Sequence, residues 1–155
     1  MMKNQEQSEI VTQFLTDVID KDSDVRIVAC WSLGWIAELL TGAERSEVLP
    51  AVLAAVKDEK WLVRIAACDA LVSLAGLLTA AERTEVLAAL LAAVKDKDSD
   101  VRIVACRALG SLAGVLRAAE HSEVRPAVLD AVKDQNLWVI RAARYALQSI
   151  TKQEN

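Results

Sequence analysis

Apolar residues follow two helical patterns, and stretches with the first pattern alternate with stretches of the second along the chain. In the stretch SEVLPAVLAAVKD they fall on one face of a helix, at Val48, Leu49, Val52, Leu53 and Val56. In the stretch SDVRIVACRALGSLAGVL they form a second buried stripe, at Val101, Ala105, Leu109 and Leu112. Each pattern predicts an amphipathic helix, and each needs a second apolar surface to cover it.

The local residues suggest where these helices start. Because Pro50 lacks an N–H group and would clash inside a helix, we expect the first helix to begin near Ser46, after a turn at 43–45. Ser99 or Asp100 can cap the second helix. The connection KDKDSD is so short that the two helices must pack antiparallel.

The whole pattern repeats every 38 residues, as the stretches starting at Val25, Val63 and Val101 show. The repeats span 5–42, 43–80, 81–118 and 119–155, within a single domain of residues 1–155. One helical hairpin cannot bury its apolar face alone, whereas four stacked hairpins can. The sequence therefore predicts eight helices in four antiparallel pairs and no strand.

The first three repeats carry an Asp in the turn and then the pattern VRxxAaxAL or a close variant of it, with the Arg six residues after the Asp. This combination resembles the HEAT repeat, in the form found in bacterial HEAT-like proteins and in artificial proteins built on that pattern. The resemblance extends from about residue 5 to about residue 150. It implies an all-α fold, a right-handed α-solenoid of four HEAT-like helix pairs.

The resemblance also implies a structural ladder between turn aspartates and second-helix arginines. The aspartates are Asp20, Asp58, Asp96 and Asp134, and the arginines are Arg26, Arg64 and Arg102. The fourth repeat has Ile140 in the arginine position, and its arginine stands at Arg141. Because the last repeat has no successor, we infer that each arginine reaches the aspartate of the following repeat. The expected pairs are Arg26 with Asp58, Arg64 with Asp96, and Arg102 with Asp134.

Positions that change chemistry from repeat to repeat are free of the core, and they lie on one face of the second helices. One such position holds Trp31, Asp69, Arg107 and Tyr145, and the position four residues on begins with Trp35. Trp61, Trp138 and Arg141 lie near the helix starts on the same side. The resemblance implies that this face is the inner, concave surface of the solenoid.

Trp31 and Trp35 are the most informative residues of this face. Large aromatic residues at i and i+4 often fill a core, but a position that accepts Asp69 and Arg107 in other repeats is not a core position. We therefore expect both rings to be exposed and to form a contact site. For Trp61 and Trp138, binding and packing are equally compatible with the sequence.

Charge and hydropathy restrict the possible partners. The net charge is −4, from 22 acidic and 18 basic residues, so the chain does not attract nucleic-acid backbones. No apolar run reaches the length of a membrane span, and the polar N-terminus does not resemble a signal peptide. We expect a cytoplasmic protein with no nucleic-acid or membrane partner.

No motif indicates catalysis, a cofactor or a metal site, so we expect a protein that is not an enzyme and needs no cofactor. Cys30, Cys68 and Cys106 occupy one position in successive repeats, which is too far apart for a disulfide and typical of small buried residues. His121 has no partner at ligand spacing and is expected in solvent. The recurring Glu–Arg pairs, such as Glu44 and Arg45, are expected to form a solvated edge.

The sequence thus predicts a scaffold that binds another protein or a peptide in its concave face. The alternative is a structural or self-associating repeat module, either an engineered scaffold or a fragment of a longer array, with no natural ligand. In both cases a weak homodimer could cover Trp31 and Trp35.

Overall fold

A computed structural model describes residues 2–155, with side chains from residue 4 onward. In this part of the chain, helices joined by short turns are the regular secondary structure, and there is no strand. The eight α-helices of this part are α1 (Met2–Asp17), α2 (Ser23–Trp35), α3 (Gly42–Ala55), α4 (Trp61–Ala75), α5 (Ala80–Ala93), α6 (Ser99–Leu112), α7 (Ala118–Ala131) and α8 (Leu137–Glu154). Short 3-10 helices follow α2 and α6, at Ala37–Leu39 and Ala113–Val115. The predicted all-α fold of helix pairs is confirmed.

The chain forms two compact units, of which the first ends at Leu77 and the second comprises Leu78–Asn155. The first unit contains the pairs α1–α2 and α3–α4, and the second contains α5–α6 and α7–α8. In both units the most extensive packing joins the two second helices, α2 to α4 and α6 to α8. The second helices therefore form the centre of each unit.

Glycine allows the second helices to approach closely. A Cβ atom at Gly34 would lie 3.1 Å from the Cα atom of Ala70, and one at Gly110 would lie 2.9 Å from the Cα atom of Ala146. Both distances are shorter than an ordinary contact between carbon atoms. Gly34 and Gly110 are two repeats apart, so the two units use the same device at equivalent positions.

The first helices of the inner repeats begin earlier than Pro50 suggests. Helix α3 begins at Gly42, four residues before Ser46, and Pro50 lies on the exposed side of its interior. The reason is a capping box: the backbone N–H of Glu44 donates to Thr41 Oγ1 at 3.2 Å, and the N–H of Thr41 donates to the Glu44 carboxylate at 2.8 Å. The predicted start was wrong because the capping signature TGAE outweighs the proline.

The predicted caps of the second helices were also displaced. Asp98 is the N-cap of α6, and its carboxylate accepts a hydrogen bond from the N–H of Asp100 at 2.9 Å. Asp22 caps α2 in the same way. Ser99 and Asp100 instead occupy the first turn, where the negative charge of Asp100 faces the positive end of the helix dipole.

The predicted apolar stripes form the core. The stripe of α6 is buried in full, and that of α3 is buried except for Leu53, which is partly exposed. Cys30, Cys68 and Cys106 are buried in this core and form no disulfide. Burial, with a smaller contribution from the nearby Asp carboxylates, raises the pKa of Cys30 to about 12 and that of Cys106 to about 11. These two thiols are therefore protonated and unreactive in the folded protein.

His121 does not lie in solvent, contrary to the sequence-based expectation. It belongs to α7, its side chain is almost fully buried, and its Nδ1 atom has no hydrogen-bond partner among the described residues. The expectation failed because the capping turn before α7 places its first turn, including Glu120, against the protein rather than in water.

The Glu–Arg pairs are likewise not a solvated edge. Glu120 is buried, accepts a hydrogen bond from the N–H of Arg117 at 2.7 Å and faces the guanidinium group of Arg83 at 3.5 Å. In the first unit, Glu44 accepts a hydrogen bond from Gln7, and Arg45 donates to the carbonyl of Leu40. These residues cap helices and tie neighbouring segments together.

Candidate functional site

Arg26 connects two repeats of the first unit. Its guanidinium group donates to both carboxylate oxygens of Asp58, from Nε at 2.8 Å and from a terminal nitrogen at 3.0 Å. The remaining terminal nitrogen donates to the carbonyl of Asp20 at 2.8 Å. Since the two side chains are only 11% and 14% exposed, this is a largely buried bidentate ion pair.

Arg102 repeats this geometry in the second unit. It donates to the two oxygens of Asp134 at 2.8 and 3.1 Å, and to the carbonyl of Asp96 at 2.9 Å. Both contacts join the residue types and repeats expected from the sequence. The middle pair, Arg64 with Asp96, takes one residue from each unit and stays a prediction.

The electrostatics of these pairs indicate a structural role. The hydrogen bond from Arg102 holds the pKa of Asp134 below its usual value in spite of burial. The pKa of Asp58 is also lowered. Burial acts to raise this pKa, but the hydrogen bonds from Arg26 and the Lys60 N–H, together with the positive charges of Arg26 and Arg64, outweigh the effect of burial. Both carboxylates stay ionised and saturated with donors, which makes them poor proton acceptors.

The predicted binding residues are all at the surface. The exposed side of the second helices of each unit is called the second-helix face. On α2 and α4 it carries Trp31, Trp35, Trp61 and Asp69, and on α6 and α8 it carries Arg107, Trp138, Arg141 and Tyr145. Trp35 is 82% exposed and Trp31 is 37% exposed. Trp61, Trp138 and Tyr145 are exposed as well, so none of these rings serves as core filling.

A first groove lies between α2 and α4, with a volume of about 410 Å³. It is lined by Trp31, Gly34, Trp35, Asp69, Ala70 and Ser73. The absence of a side chain at Gly34 brings the α4 backbone to the groove floor, and the two indole rings provide its apolar surface. This tryptophan groove offers two flat apolar rings and one carboxylate.

A second groove lies between α6 and α8, with a volume of about 580 Å³. It is lined by Ile103, Arg107, Ser111, Trp138, Arg141, Ala142 and Tyr145. The guanidinium carbon of Arg141 lies 5.0 Å from the ring centroid of Trp138, a cation–π contact. The ring of Tyr145 packs over Gly110, 3.3 Å from the place of a Cβ atom. This arginine groove offers cations on an aromatic floor.

The two grooves occupy equivalent places in the two units but differ in chemistry. Arg107 stands where the first unit has Trp31, and Tyr145 stands where it has Asp69. Trp61 lines neither groove. Gly34 lines the first groove but was not predicted as a site residue. Its signal in the sequence is a glycine inside an apolar helix, repeated two repeats later at Gly110, which indicates close backbone approach.

Two further features of the described residues bear on the chemistry of the site. They contain no group of three or more His, Cys, Asp or Glu side chains arranged to hold a metal ion. They also contain no helix that combines the length and the apolar character needed to cross a bilayer.

Comparison with known proteins identifies the family. The family model for HEAT repeats matches residues 8–82 and 73–148, so the chain belongs to the HEAT-repeat family. No protein with a curated description matches it.

Several solved structures share the fold at low sequence identity. Cex1p superposes with a TM-score of 0.78 at 15% identity, over 90% of this chain and 27% of Cex1p. A designed armadillo repeat protein in complex with the peptide (KR)4 gives 0.71 at 16% identity, over 93% of this chain and 65% of that one. An engineered protein gives 0.67 at 15% identity, over 93% and 68%. At such identities the likeness establishes the helical-repeat fold alone.

Proposed function

We propose that this protein is a non-enzymatic scaffold that binds an extended segment of another protein through its second-helix face. The observation that carries the proposal is the exposure of large aromatic side chains inside grooves between second helices. Trp35 leaves more than four fifths of its surface in water, although it sits beside the half-exposed Trp31. Apolar surface of this kind usually marks a contact site.

The residue types on the face also suit binding. Tryptophan, tyrosine and arginine supply most of the binding energy in protein interfaces, because they bury a large surface and keep a polar handle. The tryptophan groove carries two tryptophans, and the arginine groove carries a tryptophan, a tyrosine and two arginines. Apart from Ile103, the rest of the lining is small or polar, which leaves room for the side chains of a ligand.

The shape of the grooves favours an extended segment over a folded domain. Each is an open channel between two helices, and its volume is that of a few side chains. The designed armadillo protein, which shares the fold, is in complex with a peptide. A peptide ligand is therefore compatible with the helical-repeat fold.

Selection from a displayed random peptide library would test the proposal. We expect peptides that bind the wild type with micromolar affinity or better and lose at least about tenfold in affinity to Trp31→Ser/Trp35→Ser. Leu39→Ser/Leu129→Ser is the matched control, because it removes two exposed apolar side chains outside both grooves. Failure to select any peptide, or equal losses in the two double variants, would contradict the proposal.

A further inference from the structure

We infer that the arginine groove is the subsite for an acidic segment of the protein ligand, one that carries carboxylate and apolar side chains two residues apart. The inference rests on the proposed function, since it assigns the charge of a ligand on the second-helix face. It concerns the second unit alone and follows from Arg107, Arg141, Trp138 and Tyr145.

Two cations in the arginine groove lack a carboxylate partner within the second unit. Neither Arg107 nor Arg141 forms an ion pair with a described carboxylate of that unit, and the groove lining contains no acidic side chain. Arg26, Arg102 and Arg125, by contrast, each pair with a carboxylate. In a chain with four more acidic than basic residues, two arginines without a partner in their own unit form a local positive field.

Arg141 has a contact within the groove before a ligand arrives. Its guanidinium carbon lies over the ring of Trp138, 5.0 Å from the ring centroid, and this cation–π contact restricts the side chain without using its N–H donors. A guanidinium held by such a contact loses less side-chain entropy when it binds a carboxylate than a freely rotating one does. The geometry thus favours bidentate binding of a planar acid.

The lining of this groove also has an apolar part. Ile103, Ala142 and the ring of Tyr145 give the groove apolar wall and floor area beside the two arginines. In an extended peptide, alternate side chains point to opposite sides and next-but-one side chains to the same side. A ligand whose acidic and apolar residues stand two positions apart can therefore present carboxylates to the arginines and apolar groups to this floor from the same side of its backbone.

The charge of the chain argues for an acidic protein segment over a nucleic acid. Arginine with aromatic rings can also stack with single-stranded bases, but such sites follow the backbone with a continuous basic groove. Here only two arginines line the groove, and the chain as a whole is negative. A carboxylate-bearing peptide needs no longer basic track.

The tryptophan groove serves as an internal comparison. At the equivalent place it has Asp69 in place of Tyr145 and Trp31 in place of Arg107. An acidic peptide should therefore bind through the second unit, and removal of the groove arginines should abolish its advantage over a basic peptide.

Fluorescence anisotropy with labelled octapeptides tests this assignment. The Glu–Leu peptide repeats Glu-Ser-Leu-Ser, and the Lys–Leu peptide repeats Lys-Ser-Leu-Ser, so that the charged and apolar residues share one side of the extended chain. We expect the Glu–Leu peptide to bind the wild type at least about tenfold more tightly than the Lys–Leu peptide, and Arg107→Gln/Arg141→Gln to remove that preference. Lys133→Gln/Lys152→Gln, which loses the same charge at exposed positions outside the groove, should retain it. Circular dichroism and thermal melting verify that each variant remains folded.

Three results would overturn the inference. The wild type could bind the two peptides with similar affinity, it could bind neither peptide, or Lys133→Gln/Lys152→Gln could lose as much of the preference for the Glu–Leu peptide as Arg107→Gln/Arg141→Gln. Tighter, arginine-dependent binding of an oligothymidylate than of the Glu–Leu peptide would overturn it in favour of a single-stranded nucleic acid. The proposed function fails separately, in the library selection. Selected peptides that need Trp31 and Trp35 but tolerate Arg107→Gln/Arg141→Gln would refute the acidic subsite and leave the scaffold function intact.

Discussion

Arginine has three different roles in this protein, and the surroundings of each side chain decide which one it plays. Arg102 is a largely buried bidentate partner of Asp134. Arg125 pairs with the partly exposed Glu154 in the second unit. Arg107 lines a groove that contains no carboxylate of its own unit. A largely buried pair stabilises the fold, an exposed pair contributes little, and a cation without a partner in its groove is available to a ligand.

The first prediction compares two of these arginines. Arg102→Ala should lower the free energy of unfolding by about 1–3 kcal/mol, because it leaves Asp134 and the Asp96 carbonyl without their charged donor. Arg125→Ala should cost less than about 1 kcal/mol, since that pair is a third or more exposed. Urea unfolding followed by circular dichroism measures both. Equal losses would show that the ladder is no more than a surface ion pair.

The second prediction concerns pH. The hydrogen bond from Arg102 outweighs burial and lowers the pKa of Asp134 in the folded protein, whereas the unfolded chain restores the ordinary value near about 4. The stability from this ionised pair is therefore fully present above about pH 4 and is lost as the pH falls through the folded pKa. Asp58, Glu44 and Glu120, whose pKa values are also lowered, act in the same direction.

Urea unfolding at a series of pH values provides the measurement. The wild type should lose stability progressively below about pH 4. Asp134→Asn should be less stable at neutral pH and should show a smaller loss over the acidic range, because its amide does not titrate. Parallel curves for the two proteins would contradict the assignment of this linkage to Asp134.

At the scale of helices, the packing of α6 on α8 depends on a residue without a side chain. The α8 backbone and the Tyr145 ring occupy the space that a side chain at Gly110 would fill. A larger residue must separate the two helices, which are the most extensively packed pair of the second unit. The same contact places Tyr145 in the arginine groove, so packing and site geometry share one cause.

The third prediction follows from this contact. Gly110→Ala should destabilise the protein by about 1–3 kcal/mol, because the new methyl group would meet the Ala146 backbone at 2.9 Å. Gly76→Ala is the matched control: its Cβ atom meets nothing within 4 Å, and its backbone is α-helical. That change should be neutral or stabilise by up to about 1 kcal/mol. Thermal melting distinguishes the two, and a Gly110→Ala protein as stable as the wild type would refute the close-approach argument.

At the scale of the whole molecule, two similar compact units carry different chemistry on their equivalent helices. Each unit contains two helical hairpins and one groove between its second helices. The first groove is aromatic with one acid, and the second is aromatic with two arginines. Repetition therefore supplies the scaffold, while differences between equivalent positions supply the binding specificity.

The fourth prediction is weak self-association in the absence of a ligand. Trp31 and Trp35 expose about 300 Å² of ring surface, which at about 25 cal/mol per Å² gives at most about 7 kcal/mol before the entropy of association is subtracted. A two-fold contact through this patch should therefore form a dimer only at high protein concentration. In analytical ultracentrifugation, the Trp31→Ser/Trp35→Ser variant should contain more monomer than the wild type at the same concentration, with unchanged helix content.

Leu39→Ser/Leu129→Ser should leave the sedimentation profile unchanged, since these exposed side chains lie outside both grooves. A wild type that remains monomeric at millimolar concentration would contradict the self-association. The scaffold function would not be affected by that result.

The sequence by itself determined the repeat, the helix pairs, the buried stripes and the exposure of the variable face. These features depend on local periodicity, and four copies of one pattern reveal which positions tolerate polar residues. The helix starts were also local, but two signals competed there, and the capping box of Thr41 and Glu44 outweighed Pro50. Arg26 with Asp58 and Arg102 with Asp134 could be paired in advance because repetition turns a long-range contact into a fixed interval.

Only the tertiary structure decided which of the exposed residues share a groove and which charges lack a partner within their own unit. Arg107 and Arg141 are 34 residues apart in sequence, and they line one groove because α6 and α8 approach closely over Gly110. The burial of His121 was decided in the same way, by the packing of α7. Burial and charge compensation are sums over neighbours from distant parts of the chain, and periodicity along the chain does not encode them.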